Sequence, residues 1–290
     1  MQVTISSESL KAVVDSFGAE LHSVKDYNDT EYLWQADPKV WKRHAPVLFP
    51  FICNTASGKY TVNGNEYKLA NHGFARDNEF ELLYSKESEA EFVLKSSEET
   101  KKLYPFDFEL YIKYSAVGSR INVSYTVKNS GSDTMKFFIG GHPAFRVPAD
   151  SRESFEDYYA EYEKSETITQ ELKDKTITVA DNAKKIPLSH ELFANDVFMK
   201  SRPDSSWVAL VSKTTGKKIR LSFDNKGCIA VWSSYFADKE LTEQAQFVCL
   251  EPWSSVPVYC CGSEELMEME HAVSLDPERS YVFSYSIEIE

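Results

Sequence analysis

Apolar and polar residues alternate with a period of two along much of the chain. Over residues 108–117, Phe108, Leu110, Ile112, Tyr114 and Ala116 fall on one face, against Glu109, Tyr111, Lys113 and Ser115. Residues 281–290 repeat the pattern with Tyr281, Phe283, Tyr285, Ile287 and Ile289 on one side. Ile121, Val123, Tyr125 and Val127 form a third such set, and Ile219, Leu221 and Phe223 a fourth. Side chains on a strand point alternately to its two faces, so these segments predict half-buried strands, one face on a core and one in water. Turn residues separate them. Asn63-Gly64 joins two short strand-like runs and predicts a tight hairpin. No segment carries a long 3.6-residue period. Short helical turns are predicted at 38–42 and 188–195, and the aromatic content of 154–163 favours strand. Many short strands with turn signals predict an all-β protein, one large antiparallel β-sandwich over residues 1–290 as a single domain. A division near Asp150 would need a shift in composition that is not there.

Composition narrows the function. Of 290 residues 42% are apolar, enough for a sizeable core; a chain of this length buries roughly 75% of its unfolded surface. Lys plus Arg number 32 and Asp plus Glu 45, a net charge of −13. That charge, with no basic block, argues against nucleic acid and anionic membranes as partners. A soluble protein acting on neutral or locally captured small molecules remains. No apolar stretch approaches the ~18 residues of a membrane span. The N-terminal residues lack the basic and apolar regions of a secretion signal, and a cytoplasmic location is expected. Five cysteines without CxxC spacing predict buried free thiols.

Three residues stand in unusual settings. His72 lies in Asn71-His72-Gly73-Phe74-Ala75-Arg76, just after the hairpin, and His142 in Gly140-Gly141-His142-Pro143 at a strand exit. Glycine lets a backbone turn sharply or approach a ligand, and proline ends the ladder, so a titratable group there is well placed for a cleft. A polar loop histidine satisfied by a carbonyl is the plainer alternative. Glu251 sits in Phe247-Val248-Cys249-Leu250-Glu251-Pro252-Trp253, where every other residue is apolar. Desolvation raises the pKa of such a carboxylate, as a general base working near neutrality requires. A structural hydrogen-bond network is the alternative. Trp253 and Trp232 could stack on sugar faces or fill a core. Asp224 ends a strand on its polar side and could equally be a turn former. No HxxxH or CxxC, dinucleotide, P-loop or GxSxG pattern occurs, so acid–base chemistry without metal or cofactor is the expectation.

At these residues the sequence resembles the galactose mutarotase-like (aldose 1-epimerase) family, in particular its LacX-type branch. The matching stretches are Phe17-Gly18-Ala19-Glu20-Leu21, Glu31-Tyr32-Leu33-Trp34-Gln35, Ala45-Pro46-Val47-Leu48-Phe49-Pro50, His72-Gly73-Phe74-Ala75-Arg76, Gly141-His142-Pro143-Ala144-Phe145 and Leu250-Glu251-Pro252-Trp253. They keep the family order. The resemblance implies a supersandwich with a carbohydrate cleft and interconversion of the α and β anomers of a free hexose. It implies Glu251 as the base taking the O1 proton and His142 as the acid protonating the ring oxygen O5. His72 and Asp224 would bind sugar oxygens, and Arg76 belongs to a motif form shared with enzymes of hexose 6-phosphates. One departure stands out. Cys53-Asn54 occupies the place of the family's glycine and sugar-binding arginine. Asn54 brings no charge and a shorter reach. The missing arginine makes a non-catalytic sugar-binding protein one alternative; the His72–Arg76 motif makes a hexose-6-phosphate mutarotase the other, although the lost arginine removes the pair that would clamp a phosphate. A monomer or homodimer with no cofactor is expected. Glu251 and His142 are expected to serve opposite sides of the hemiacetal.

Overall fold

A computed structural model describes residues 1–172, 175–240 and 243–290. Its largest sheet has nine strands in the order Thr176–Pro187, Tyr158–Glu171, Trp207–Ser212, Lys218–Phe223, Ser280–Ile289, Arg120–Asn129, Phe108–Val117, Glu89–Lys95 and Glu81–Ser85. All of its pairings are antiparallel. The alternation read from sequence sets its register. Ile121 faces Ala116 and Ile287, and Val123 faces Tyr114 and Tyr285, all on the core side. The last strand, Ser280–Ile289, lies between Lys218–Phe223 and Arg120–Asn129, so the end of the chain joins segments from both sides of Asp150. One contiguous apolar cluster runs from Ile5 to Ile287.

The facing sheet is shorter-stranded and buried more completely. It runs Phe198–Ser201, Cys228–Trp232, Phe247–Trp253, Gly140–Gly141, Val47–Leu48, with Ala144–Arg146 also pairing to Phe247–Trp253. All seven residues of Phe247–Trp253 are buried. The Gly140–Gly141 strand passes through a gap that admits no side chain. A Cβ on Gly140 would come within 2.7 Å of the Trp253 ring, and one on Gly141 within 2.8 Å of the Tyr285 ring. That close passage delivers His142 beside Glu251. A three-stranded sheet, Gln2–Ser6, Leu10–Asp15 and Glu20–Asp26, covers one side.

The predicted hairpin is present, with Asn63 and Gly64 at φ +51° and +78° between Lys59–Val62 and Asn65–Lys68. Of the predicted helical turns, residues 190–193 form one turn of 3₁₀ helix, and residues 38–40 only a turn. Residues 155–157 are 3₁₀, and the strand begins at Tyr158. All five cysteines are free, but only Cys228 and Cys249 are buried; Cys260 is exposed, so the expectation of uniformly buried thiols fails at the loop following the Glu251 strand. Among the described residues no helix is long and apolar enough to cross a membrane.

Candidate active site

Glu251 and His142 meet at a cavity of about 680 Å³. Its lining comes from strand exits and loops at one end of the six-stranded sheet. Glu251, on the central strand, is 1% exposed, and His142 is 5% exposed. Glu251 Oε2 lies 3.2 Å from His142 Nε2. The contact is not aligned as a hydrogen bond: Glu251 Oε2, His142 Nδ1 and Trp253 Nε1 are buried without a hydrogen-bond partner among the described residues. Burial drives the Glu251 carboxyl well above the ordinary carboxylate range, with Asp196 adding to the rise and the Trp253 indole and Arg76 opposing it. Burial also holds the His142 imidazole well below its ordinary value, and the nearby His72 and Arg76 push the same way. Both shifts widen the pH range over which the pair holds a single proton, on one partner or the other.

Backbone and rings hold His142 in place. Its N–H donates to the Pro46 carbonyl at 3.1 Å. Its ring stacks on Trp41 at 5.0 Å between centroids and meets Trp232 edge-on at 5.6 Å. His72 stands T-shaped to it at 5.5 Å. His72 Nδ1 accepts the Cys53 N–H at 3.0 Å, which assigns its proton to Nε2. Its pKa is lowered to about 3 by burial, then Arg76 and Arg43. It is a neutral donor. His72 takes a left-handed φ of +66° and Gly73 follows at +74°. Any Cβ on Gly73 would lie 2.2 Å from the Phe49 carbonyl oxygen, so this glycine fixes how His72 enters the cavity.

Of the residues singled out in the sequence, Glu251, His142, His72, Arg76 and Trp253 line this one cavity. Two others do not. The Asn54 amide donates to the Leu69 carbonyl at 2.8 Å and accepts the Thr55 N–H at 2.9 Å. It is spent on holding its own loop and does not replace the missing arginine. Asp224 is exposed, and its carboxylate accepts the Lys226 N–H at 3.0 Å; the turn-forming role wins, and its assignment to sugar binding is withdrawn. Glu251 and His142, by contrast, are in direct contact. Hemiacetal geometry explains why contact suits the chemistry: O1 and O5 are both bonded to C1, so two groups serving them must converge.

The cavity also contains residues the sequence did not single out. Asp196 lines it at φ +73° and accepts the Trp232 indole N–H at 2.7 Å. The buried Gln170 amide donates to the carbonyls on either side of it, Asn195 at 2.5 Å and Val197 at 2.9 Å. Arg43 lines the cavity beside Arg76. Arg43 pairs with Asp77 at 2.7 Å, while Arg76 Nε is 4.0 Å from the same carboxylate and has no hydrogen-bond partner. Burial and the Arg43 charge lower the Arg76 pKa to about 10. With Lys42, three cations share this wall. The run Trp41-Lys42-Arg43-His44 was the available signal for Arg43. Asp196 sits among ordinary loop residues and carried none.

The Aldose 1-epimerase family model matches residues 1–261. Protein LacX of Lactococcus lactis subsp. lactis, in its plasmid form, is 32% identical over 273 residues, covering 88% of each chain. The galactose mutarotase related enzyme of Lactobacillus acidophilus has a structure with TM-score 0.90 at 30% identity, covering 100% of this chain and 97% of that one. A galactose mutarotase-like protein of Lactobacillus casei ATCC 334 gives a TM-score of 0.87 at 26% identity, covering both chains fully.

Proposed function

This chain belongs to the aldose 1-epimerase family, and from that premise we propose that it is a mutarotase, interconverting the α and β anomers of a free hexose by acid–base ring opening. The observation that carries this reading is the Glu251–His142 contact at the cavity, buried and holding polar atoms without partners. A hemiacetal supplies those partners. Glu251 takes the O1 proton as His142 gives one to O5. The C1–O5 bond breaks, O1 becomes the aldehyde oxygen, and the C1–C2 bond rotates. Closure on the other face reverses both transfers. One proton enters and one leaves, so the pair ends in the protonation state in which it began. His72 Nε2–H and Asp196 hold the sugar hydroxyls, and Trp253 offers an apolar wall. The chemistry calls for no cofactor or metal. A soluble, cytoplasmic protein fits a substrate of this kind.

Measuring anomer exchange by one-dimensional NMR tests the reading. Glucose or galactose exchange should accelerate in proportion to protein, and binding without acceleration would move the assignment to a sugar-binding protein. Exchange should be level around neutral pH. It should fall on the acid side as the pair gains a second proton and on the alkaline side as it loses its only one.

One observation favours a second reading. Arg43 supplies beside Arg76 the paired guanidinium that Asn54 cannot, with Asp77 next to both and Glu20 and Glu251 also acting on Arg76. Paired guanidinium groups suit a phosphate. The 6-phosphates of the same hexoses are the comparison. Arg43→Ala and Arg76→Ala should raise KM for them selectively if this wall takes a phosphate, and raise both sugars' KM alike if it does not.

A further inference from the structure

Glu20, His22 and His44 form a second polar cluster outside the cavity. Glu20 and His22 are two apart on strand Glu20–Asp26, and His44 lies in the segment between Trp41 and Val47. One Glu20 oxygen, Oε1, accepts the backbone N–H groups of His44 at 2.6 Å and Ala45 at 2.8 Å. The other, Oε2, lies 3.9 Å from His22 Nε2, beyond hydrogen-bond reach. The two imidazoles stack with centroids 4.0 Å apart and planes at 20°. No hydrogen bond reaches the His44 ring among the described residues; its bond to Glu20 runs through the backbone N–H. A ring nitrogen lone pair is therefore free for a ligand. One donor atom from each of the three residues falls within 4.8 Å of the others. His22 is 24% exposed at its side chain, which leaves a way in for solvent.

We propose that Glu20, His22 and His44 bind a divalent transition cation of the zinc type, with water completing the coordination. Two imidazoles and one carboxylate are a donor set for zinc, whereas magnesium and calcium take oxygen ligands. Zinc bonds of ~2.0–2.1 Å set tetrahedral ligands ~3.3 Å apart. The cluster must therefore draw in, and the stacked rings must fan so that their lone pairs converge. His22 has the freedom to do so: among the described residues its ring's one hydrogen bond is a long contact of 3.5 Å between Nδ1 and Gln2. Glu20 is already oriented by its two backbone bonds. The sequence search for HxxxH or CxxC spacing misses this set because its third member arrives from 22 residues further on. A bound cation would fasten the strand Glu20–Asp26 to the segment carrying Trp41 and Arg43, the first stacked on His142 and the second on the cavity wall. The proposal stands independently of what the cavity does. The fully buried His142–Cys249–Glu251 group is the competing set of donors.

The test is zinc titration of chelator-treated protein by calorimetry, with Co²⁺ absorption as a second readout. One equivalent should bind, raise the melting temperature, and give a Co²⁺ spectrum without thiolate charge transfer. His22→Ala and the gentler His22→Gln should each weaken binding at least ~10-fold, as loss of even an outer-shell partner does, with an unchanged far-ultraviolet circular dichroism spectrum. Zinc binding that survives both variants overturns the proposal. So does absence of binding, a thiolate band lost in Cys249→Ser, or binding lost in Glu251→Gln.

Discussion

In the nine-stranded sheet the buried hydroxyls of Tyr114, Tyr125 and Tyr285 have partners. Tyr114 donates to the Ala19 carbonyl at 2.8 Å, and the Tyr125 and Tyr285 hydroxyls lie 3.0 Å apart. Its two unpartnered buried atoms, Glu161 Oε2 and Arg220 Nε, belong to side chains already ion-paired with Lys218 and Glu288. At the end of the six-stranded sheet the balance is reversed. Glu251, Trp253 and His142 each bury a polar atom without a hydrogen bond, at a cost of roughly 1–3 kcal/mol per group. Cys53, His72 and Asp196 line the same cavity with left-handed backbone, which adds of order 1–3 kcal/mol each. The difference teaches where stability is made and where it is spent. One sheet pairs or bonds most of its buried polar groups within itself; the other leaves several open at the cavity.

Substitutions can break that contrast. The largest expected effect is on rate. Glu251→Gln should slow anomer exchange by roughly 10²–10⁴-fold, with a melting temperature at or above wild type, because a desolvated acid is replaced by a neutral amide. A large loss of stability would show that Glu251 is structural. Ile112→Ala in the nine-stranded core should do the opposite. It should cost about 2–5 kcal/mol in urea denaturation and leave KM and kcat of the folded fraction within about threefold. A change in sugar affinity would mean the two regions are not separable.

A smaller effect comes from acid. His72 titrates below the unfolded imidazole value of ~6.5. Between the folded and unfolded pKa values the unfolded chain binds more protons, so stability present above pH ~6.5 is lost as pH falls, down to about 3. His72 contributes at most ~1.4 kcal/mol per pH unit. Urea denaturation at pH 7 and pH 5 measures the slope, and His72→Asn should flatten it. An unchanged slope would mean that His72 is protonated in the folded protein. The smallest effect is expected at the two reassigned residues. Asn54→Ala should cost about 1 kcal/mol and Asp224→Ala less than about 0.5 kcal/mol, neither altering KM. A raised KM in Asp224→Ala would restore that residue to the site.

What made a residue legible was a local contradiction. Glu251 is a charge in an apolar strand, and His142 follows two glycines and precedes a proline. His72 and Arg76 share one motif with the glycine that fixes the turn. Arg43, Asp196 and Trp41 contradict nothing around them, since a basic run, a loop aspartate and a lone tryptophan are ordinary in any chain. Asn54 and Asp224 failed in the other direction. Both are polar residues at plausible positions, but their side chains bond to neighbouring backbone, as short amides and carboxylates readily do.

The sequence alone determined many of the strands, their inward faces and the Asn63-Gly64 hairpin, because alternation and turn chemistry are properties of adjacent residues. It also determined that a carboxylate and two histidines stand where desolvation and turn geometry make them unusual. Tertiary structure alone decided that Glu251 and His142 touch, that Asp196 and not Asp224 enters the cavity, and that Arg43 comes to Arg76. It also brought Glu20, His22 and His44 together. These juxtapositions join segments tens of residues apart. No local pattern encodes them, since they follow from how two sheets pack and from the gap that Gly140 and Gly141 leave between Trp253 and Tyr285.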